Sequence, residues 1–111
     1  MSSGRSSRIW LPSVGTERRF YVHPEARGEL KLAARWYEER TEGAGKALVL
    51  LVRAALGTIA RAPTRWPDRG GYRAMYLKRY PYAIFYTVTD EEVRIMAIAH
   101  ERREPLYWKG R

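Results

Sequence analysis

Tyr82-Ala83-Ile84-Phe85-Tyr86-Thr87-Val88 and Val93-Arg94-Ile95-Met96-Ala97-Ile98-Ala99 are two β-branched and aromatic runs with only Thr89-Asp90-Glu91-Glu92 between them. A third run, Tyr72-Arg73-Ala74-Met75-Tyr76-Leu77, precedes them across the turn at residues 78–81. Each run reads as a strand, and connections this short make neighbours pair as an antiparallel meander. Within the first, the two-residue period sends Tyr72, Ala74 and Tyr76 to one face and Arg73, Met75 and Leu77 to the other. The last run empties into His100-Glu101-Arg102-Arg103-Glu104-Pro105-Leu106-Tyr107-Trp108, a polar and aromatic cluster at a strand end, where side chains are held more rigidly than on a loop.

Upstream, the apolar period changes from two to that of a helix. Leu30, Ala33, Ala34 and Tyr37 recur at helical spacing after Pro24 and Glu25, which suit a first turn. Leu32 and Trp36 add a second stripe, so this helix is expected to be covered on two sides. Gly43 marks the break. Ala44, Leu48, Leu51, Ala55 and Ile59 outline a second helix over 44–60, ended by Ala62-Pro63. Val49, Leu50, Val52 and Leu56 make it apolar nearly all round, which predicts burial. Phe20-Tyr21-Val22 is a short strand before the first helix. The order β-α-α-β-β-β therefore predicts an α+β fold. It has a short N-terminal strand, an antiparallel helical hairpin on one face of the sheet, and a three-strand antiparallel meander. Residues 1–17, rich in Ser, Gly and Arg, read as a flexible leader, and 18–111 as one domain.

The chain has 111 residues, enough for one modest core. It has no cysteine, which excludes disulfides and thiolate metal sites. No stretch approaches the ~20 apolar residues of a membrane span. The net charge is +9, which favours an acidic protein partner or nucleic acid. Between Arg61 and Arg79, the basic residues Arg61, Arg65, Arg69, Arg73, Lys78 and Arg79 face Asp68 alone.

No phosphate-binding glycine loop, zinc spacing or paired carboxylate frame is present, so neither a metal nor a cofactor is expected. His23 and His100 lie far apart in sequence, and Glu38-Glu39 reads as a solvated helix face. What remains is Arg73 on the first meander strand and the cluster His100, Arg102, Arg103, Tyr107 and Trp108. Arg supplies a fixed fork of donors for phosphate, His exchanges protons near neutrality, and Tyr and Trp stack on bases. RNA cleavage by a ribose 2′-hydroxyl needs a base, a cation and an acid, and the cluster holds candidates for all three. Each residue also fits a structural role: His100 as a strand cap, Tyr107 and Trp108 as a cover over the sheet, Arg102 and Arg103 as solvated charges or docking points.

The helix pattern of Ala26, Leu30 and Tyr37, Ile59 with Pro63, Tyr72-Arg73, Tyr82-Ala83-Ile84-Phe85-Tyr86, and the ending His100-Glu101-Arg102-Arg103 together resemble the RelE/ParE toxins of bacterial type II toxin–antitoxin systems. The resemblance runs from Phe20 to Arg111. It implies a cytoplasmic growth inhibitor, of the kind that stabilises plasmids or responds to stress, neutralised by a cognate antitoxin. RelE-like members cut mRNA in the ribosomal A site with basic residues on the sheet and a Tyr or His near the C-terminus. ParE-like members poison DNA gyrase. Arg73 stands where the RelE-like pattern has a basic residue, but Ala83 stands where that pattern has Arg, and the His-x-Arg-Arg ending is nearer to ParE. The resemblance thus favours a gyrase-directed toxin that is not an enzyme, with Arg102, Arg103, Tyr107 and Trp108 contacting the target. The alternatives are a metal-independent, ribosome-dependent endoribonuclease using Arg73, His100, Arg103 and Tyr107, or a non-toxic binding module.

Overall fold

The computed structural model describes residues 18–111. The expected leader, 1–17, lies outside them. Strand β1 (Arg19–Val22) leads into helices α1 (Pro24–Arg40) and α2 (Ala44–Arg61), followed by β2 (Arg73–Tyr76), β3 (Tyr82–Val88), β4 (Glu92–His100) and a C-terminal 3₁₀ turn (Tyr107–Gly110). The sheet order is β1-β4-β3-β2, with β2-β3 and β3-β4 antiparallel and β1 parallel to β4. The helical hairpin thus carries the chain from one sheet edge to the other, and the meander walks back until β4 meets β1. The α+β architecture and the meander agree with the sequence reading. The parallel pairing of β1, which nothing in its own residues specifies, completes a four-stranded mixed sheet.

Local chemistry sets the hairpin. Pro24 occupies the first turn of α1, and the His23 ring accepts a hydrogen bond from the Glu25 amide. Gly43 turns the chain at φ +86°, a left-handed conformation that favours glycine. The Glu38 carboxylate is exposed but does more than face water. It accepts from the amides of Gly43 and Gly45, both at 2.8 Å, and so caps the bare N-terminus of α2. Those amide hydrogen bonds hold its pKa below the ordinary value. The helices touch closely at this end: a Cβ on Gly45 would lie 2.2 Å from the Ala34 carbonyl oxygen.

Cross-strand partners share a face. Tyr82, Ile84, Tyr86 and Val88 therefore face the helices together with His100, Ile98, Ile95 and Val93. Leu48, Val52 and Ile59 of α2 pack on Ile84, Tyr86, Ile95 and Ile98. Tyr86 is fully buried, and its hydroxyl donates to the Pro63 carbonyl at 2.8 Å, fixing the exit of α2. The expectation that α2 is buried nearly all round needs correcting. Leu48, Val52, Ala55 and Ile59 are buried, Leu51 is half-buried, and Leu50 is 56% exposed. A two-layer domain covers one side of each helix, and among the described residues nothing packs on the outer side of this hairpin. The second stripe of α1 is likewise open: Leu32 is 65% and Trp36 50% exposed. No helix among the described residues is long and apolar enough to cross a membrane.

Leu48→Asp places an unpaired charge in the core and is expected to abolish cooperative unfolding. Leu50→Asp should stay within about 0.5 kcal/mol of the parent in denaturant melts.

Candidate functional site: the groove between α1 and the C-terminal tail

Strand β4 is longer than the strand beside it. β1 pairs with Glu92–Ile95, and the last bond of that edge runs from the His23 amide to the Ile95 carbonyl, 2.9 Å. Among the described residues, 96–100 continue without a strand on that side. Side chains take over there. Glu29, on α1, accepts from the Ile98 amide at 3.0 Å. Arg111 donates to the Met96 carbonyl at 2.9 Å and to both oxygens of Glu29, at 3.1 and 2.8 Å. The Tyr107 hydroxyl donates to Glu29 as well. Burial alone would raise the Glu29 pKa, but the hydrogen bonds from Arg111, Tyr107 and Ile98 outweigh it and hold the carboxyl below its ordinary range. Burial, with the Glu29 carboxylate beside it, pushes the Tyr107 phenol well up. The phenol therefore stays protonated near neutrality and acts as a donor.

This knot fixes the tail. After His100 the chain rounds the edge of β4, turns at Leu106 with φ +58°, and lays Trp108 on the sheet face away from the helices. The Trp108 ring stacks on Phe85, centroids 5.9 Å apart at 27°, and meets Tyr72 edge-on at 5.4 Å. It is 4% exposed. Trp108 is thus a core residue of that face, and the sequence expectation of a target contact is corrected in favour of a cover over the sheet.

The other side of the tail borders a groove of about 490 Å³. Leu32, Trp36 and Tyr37 form its α1 wall, Tyr82 and His100 its sheet wall, and Arg103 and Tyr107 its rim. Arg103 lies 3.8 Å over the Tyr107 ring, and Arg40 3.8 Å over Trp36. His100 Nδ1 accepts from the Arg102 amide at 3.0 Å, and the His100 ring meets Tyr82 edge-on at 5.3 Å. Arg102 is exposed beside the groove.

Of the sequence candidates, His100, Arg103 and Tyr107 come together and Arg102 adjoins them. Arg73 does not. It pairs with Tyr86, while His100 pairs with Tyr82, four residues or about 13 Å further along β3. The Arg73 guanidinium is engaged instead by the Trp66 and Thr64 carbonyls, tying the loop after α2 to the sheet. Ala83, the departure from the RelE-like pattern, is fully buried against the tail side of the sheet. The groove therefore offers apolar walls and a cationic rim, without a convergent set of free cations around one point. Among the described residues no cluster could hold a metal. Sequence reasoning missed Glu29, an unremarkable helical acid until the fold sets it beside Ile98. It also read Leu32 and Trp36 as covered; their position off the core stripe was the available signal.

The model of the ParE toxin of type II toxin–antitoxin systems, parDE, matches residues 20–105. The chain belongs to the ParE toxin family. A solved structure described as "Chromosomal ParDE TA system from P. aeruginosa" has a similar fold, with a TM-score of 0.66 at 19% identity over 75% of this chain and 95% of that one. No curated protein matches. In this ParE-family chain the tail that carries the His-x-Arg-Arg ending is also what closes the sheet, through Trp108 and the Glu29 knot.

Glu29 and Arg111 are mostly buried, with side chains 17% and 16% exposed, so Glu29→Ala is expected to cost about 3 kcal/mol at neutral pH. Because the folded pKa of Glu29 is depressed, its contribution is complete above the ordinary 4.5 and is lost as pH falls through the lower folded value. The stability gap between the parent and Glu29→Gln should therefore be constant from pH 8 to about 5.5 and narrow in acid, read from urea melts at each pH.

Trp108→Ala empties the tail side of the sheet and should cost about 3 kcal/mol, whereas Arg102→Ala leaves the melting temperature unchanged.

Proposed function

We propose that this ParE-family chain is the toxin of a type II toxin–antitoxin module, that it inhibits growth by binding DNA gyrase through the groove between α1 and the tail, and that a cognate antitoxin neutralises it. The observation that carries the reading is the character of the groove. Two large apolar side chains, Leu32 and Trp36, stand exposed beside a rim of Arg103 and Tyr107. Trp, Tyr and Arg are the residue types that dominate protein–protein hot spots, and exposed apolar patches mark such surfaces. The same geometry weighs against RNA cleavage. Arg73 is spent on loop carbonyls, and Tyr107 is a protonated donor to Glu29. A developing phosphate charge would meet Arg103 with little support. The net charge of +9 supports an acidic antitoxin. This reading places the chain in the cytoplasm, where gyrase acts.

The purified chain is expected to block gyrase supercoiling and to leave mRNA on ribosomes uncut. Trp36→Ala and Arg103→Glu should each weaken gyrase inhibition roughly 30-fold while melting within a few degrees of the parent. Ribosome-dependent cleavage that His100→Ala removes would replace this reading with the endoribonuclease. Inactivity in both assays, with antitoxin binding retained, would leave a binding module.

A further inference from the structure

The run of cations after α2 has a place in the fold that the tail groove does not use. β2 is the last strand of the sheet on the side away from β1. The loop from α2 is fastened along it. The Arg73 guanidinium donates to the Thr64 and Trp66 carbonyls, and the Arg69 amide donates to the Tyr72 carbonyl at 2.7 Å. The Arg69 side chain then lies over the Tyr76 ring, 5.9 Å from its centroid. Beyond Tyr76 the ladder closes with the Leu77 amide on the Tyr82 carbonyl, 2.9 Å, and the turn between them holds Lys78 and Arg79. Loop and turn thus bracket a strand roughly 10 Å long and make a basic ridge of Arg65, Arg69, Lys78 and Arg79. All four are exposed, and among the described residues none joins an ion pair.

The fold explains Arg61 and Arg73 but not these four. Arg61 ends α2, where a cation offsets the helix dipole, and Arg73 clamps the loop. The ridge gathers like charges whose mutual repulsion an anionic partner removes. The single acid of the segment, Asp68, holds the Gly71 amide at 2.7 Å. Among the exposed residues of the ridge, Tyr76 is the one large apolar side chain. A protein partner would need an apolar centre to grip, and the ridge offers none. A phosphate backbone needs only cations and hydroxyl donors, which Arg, Lys and Tyr supply. Arg69 already covers the Tyr76 ring, so the ridge is no stacking platform for single strands.

We propose that the β2 ridge binds the phosphate backbone of duplex DNA without reading its sequence. Arg65 and Arg69 hold phosphates from the loop side, Lys78 and Arg79 from the turn, and the Tyr76 hydroxyl donates between them. The choice of DNA over an RNA duplex rests on the gyrase reading, which sets the chain beside an enzyme that holds duplex DNA. β2 and the open edge of β4 are two strands apart, roughly 10 Å, so a chain seated on gyrase through the tail groove reaches the enzyme's DNA with its far edge.

The test measures binding of the full chain to a mixed-sequence duplex of about 20 base pairs, as DNA and as RNA, from low to moderate salt. The parent is expected to bind DNA with a log–log salt slope of roughly −3.5, one increment for each ridge cation. Reversing three of them (R69E, K78E, R79E) should weaken binding about 100-fold and reduce the slope by about 2.5. Arg79→Glu alone, in the exposed turn, should cost about fivefold. The control R27E, K31E, R53E removes the same net charge from the helices and should keep most of the affinity. All variants should melt within a few degrees of the parent. Equal losses in the control and the ridge variant would overturn the proposal and reduce the binding to net charge. Parent-like DNA affinity in the ridge variant would overturn it too, and so would tighter binding of the RNA duplex. Gyrase inhibition by the parent, run in parallel, tests the other reading separately: inhibition that survives loss of the ridge leaves the tail groove as the gyrase contact.

Discussion

The outer edge of β4 has to be satisfied along its whole length, and β1 reaches less than half of it. An open strand edge presents unpaired amides and carbonyls and invites pairing with other chains. Here the Glu29 carboxylate stands in for one carbonyl and the Arg111 guanidinium for one amide. Because the two also bind each other, and Tyr107 joins them, closing the edge and anchoring the tail are a single event. The groove wall, the placement of Arg103 over Tyr107 and the delivery of Trp108 to the opposite face all follow from it.

The bulge in β4 belongs to the same design. Phe85 pairs with Ala97 and Tyr86 with Ile95, so Met96 is the extra residue. The shift lets β4 keep Ile95 and Ile98 toward the helices while Met96 and Ala97 lie under Trp108. Each sheet face is thus sealed by a different part of the chain, the hairpin on one and the tail on the other. The tail is consequently no detachable appendage, since cutting it away uncovers Phe85 and leaves Glu29 unpaired in a partly buried site.

The basic residues divide along these lines. Arg73 and Arg111 have their donors engaged by backbone carbonyls and Glu29, and they hold loops and ends in place. Arg27, Lys31, Arg53 and Arg103 reach solvent on the two flanks of α1. A strongly basic sequence gives a surface fit for recognition here, because Arg73 and Arg111, at opposite edges of the sheet, are each engaged by structure while exposed cations line α1. Helix α1 becomes the hub, with one face in the core and one flank on the tail groove.

The β-α-α-β-β-β order, the helix limits near Pro24 and Gly43, the meander and its alternation of faces were legible in the sequence, because they rest on local periodicity and turn chemistry. The family resemblance was legible for the same reason, being a matter of order and spacing. The tertiary structure decided what depends on partners distant in sequence. Glu29 meets Arg111 across nearly the whole domain, Trp108 finds Phe85, and Arg73 turns from a phosphate candidate into a clamp on the Trp66 loop. A side chain's role is set by which donors and acceptors the fold brings within reach, and in one dimension those neighbours have no signature. The exposure of Leu32, Trp36 and Leu50 was hidden likewise, since periodicity tells which residues are apolar but not how many layers the fold supplies to cover them.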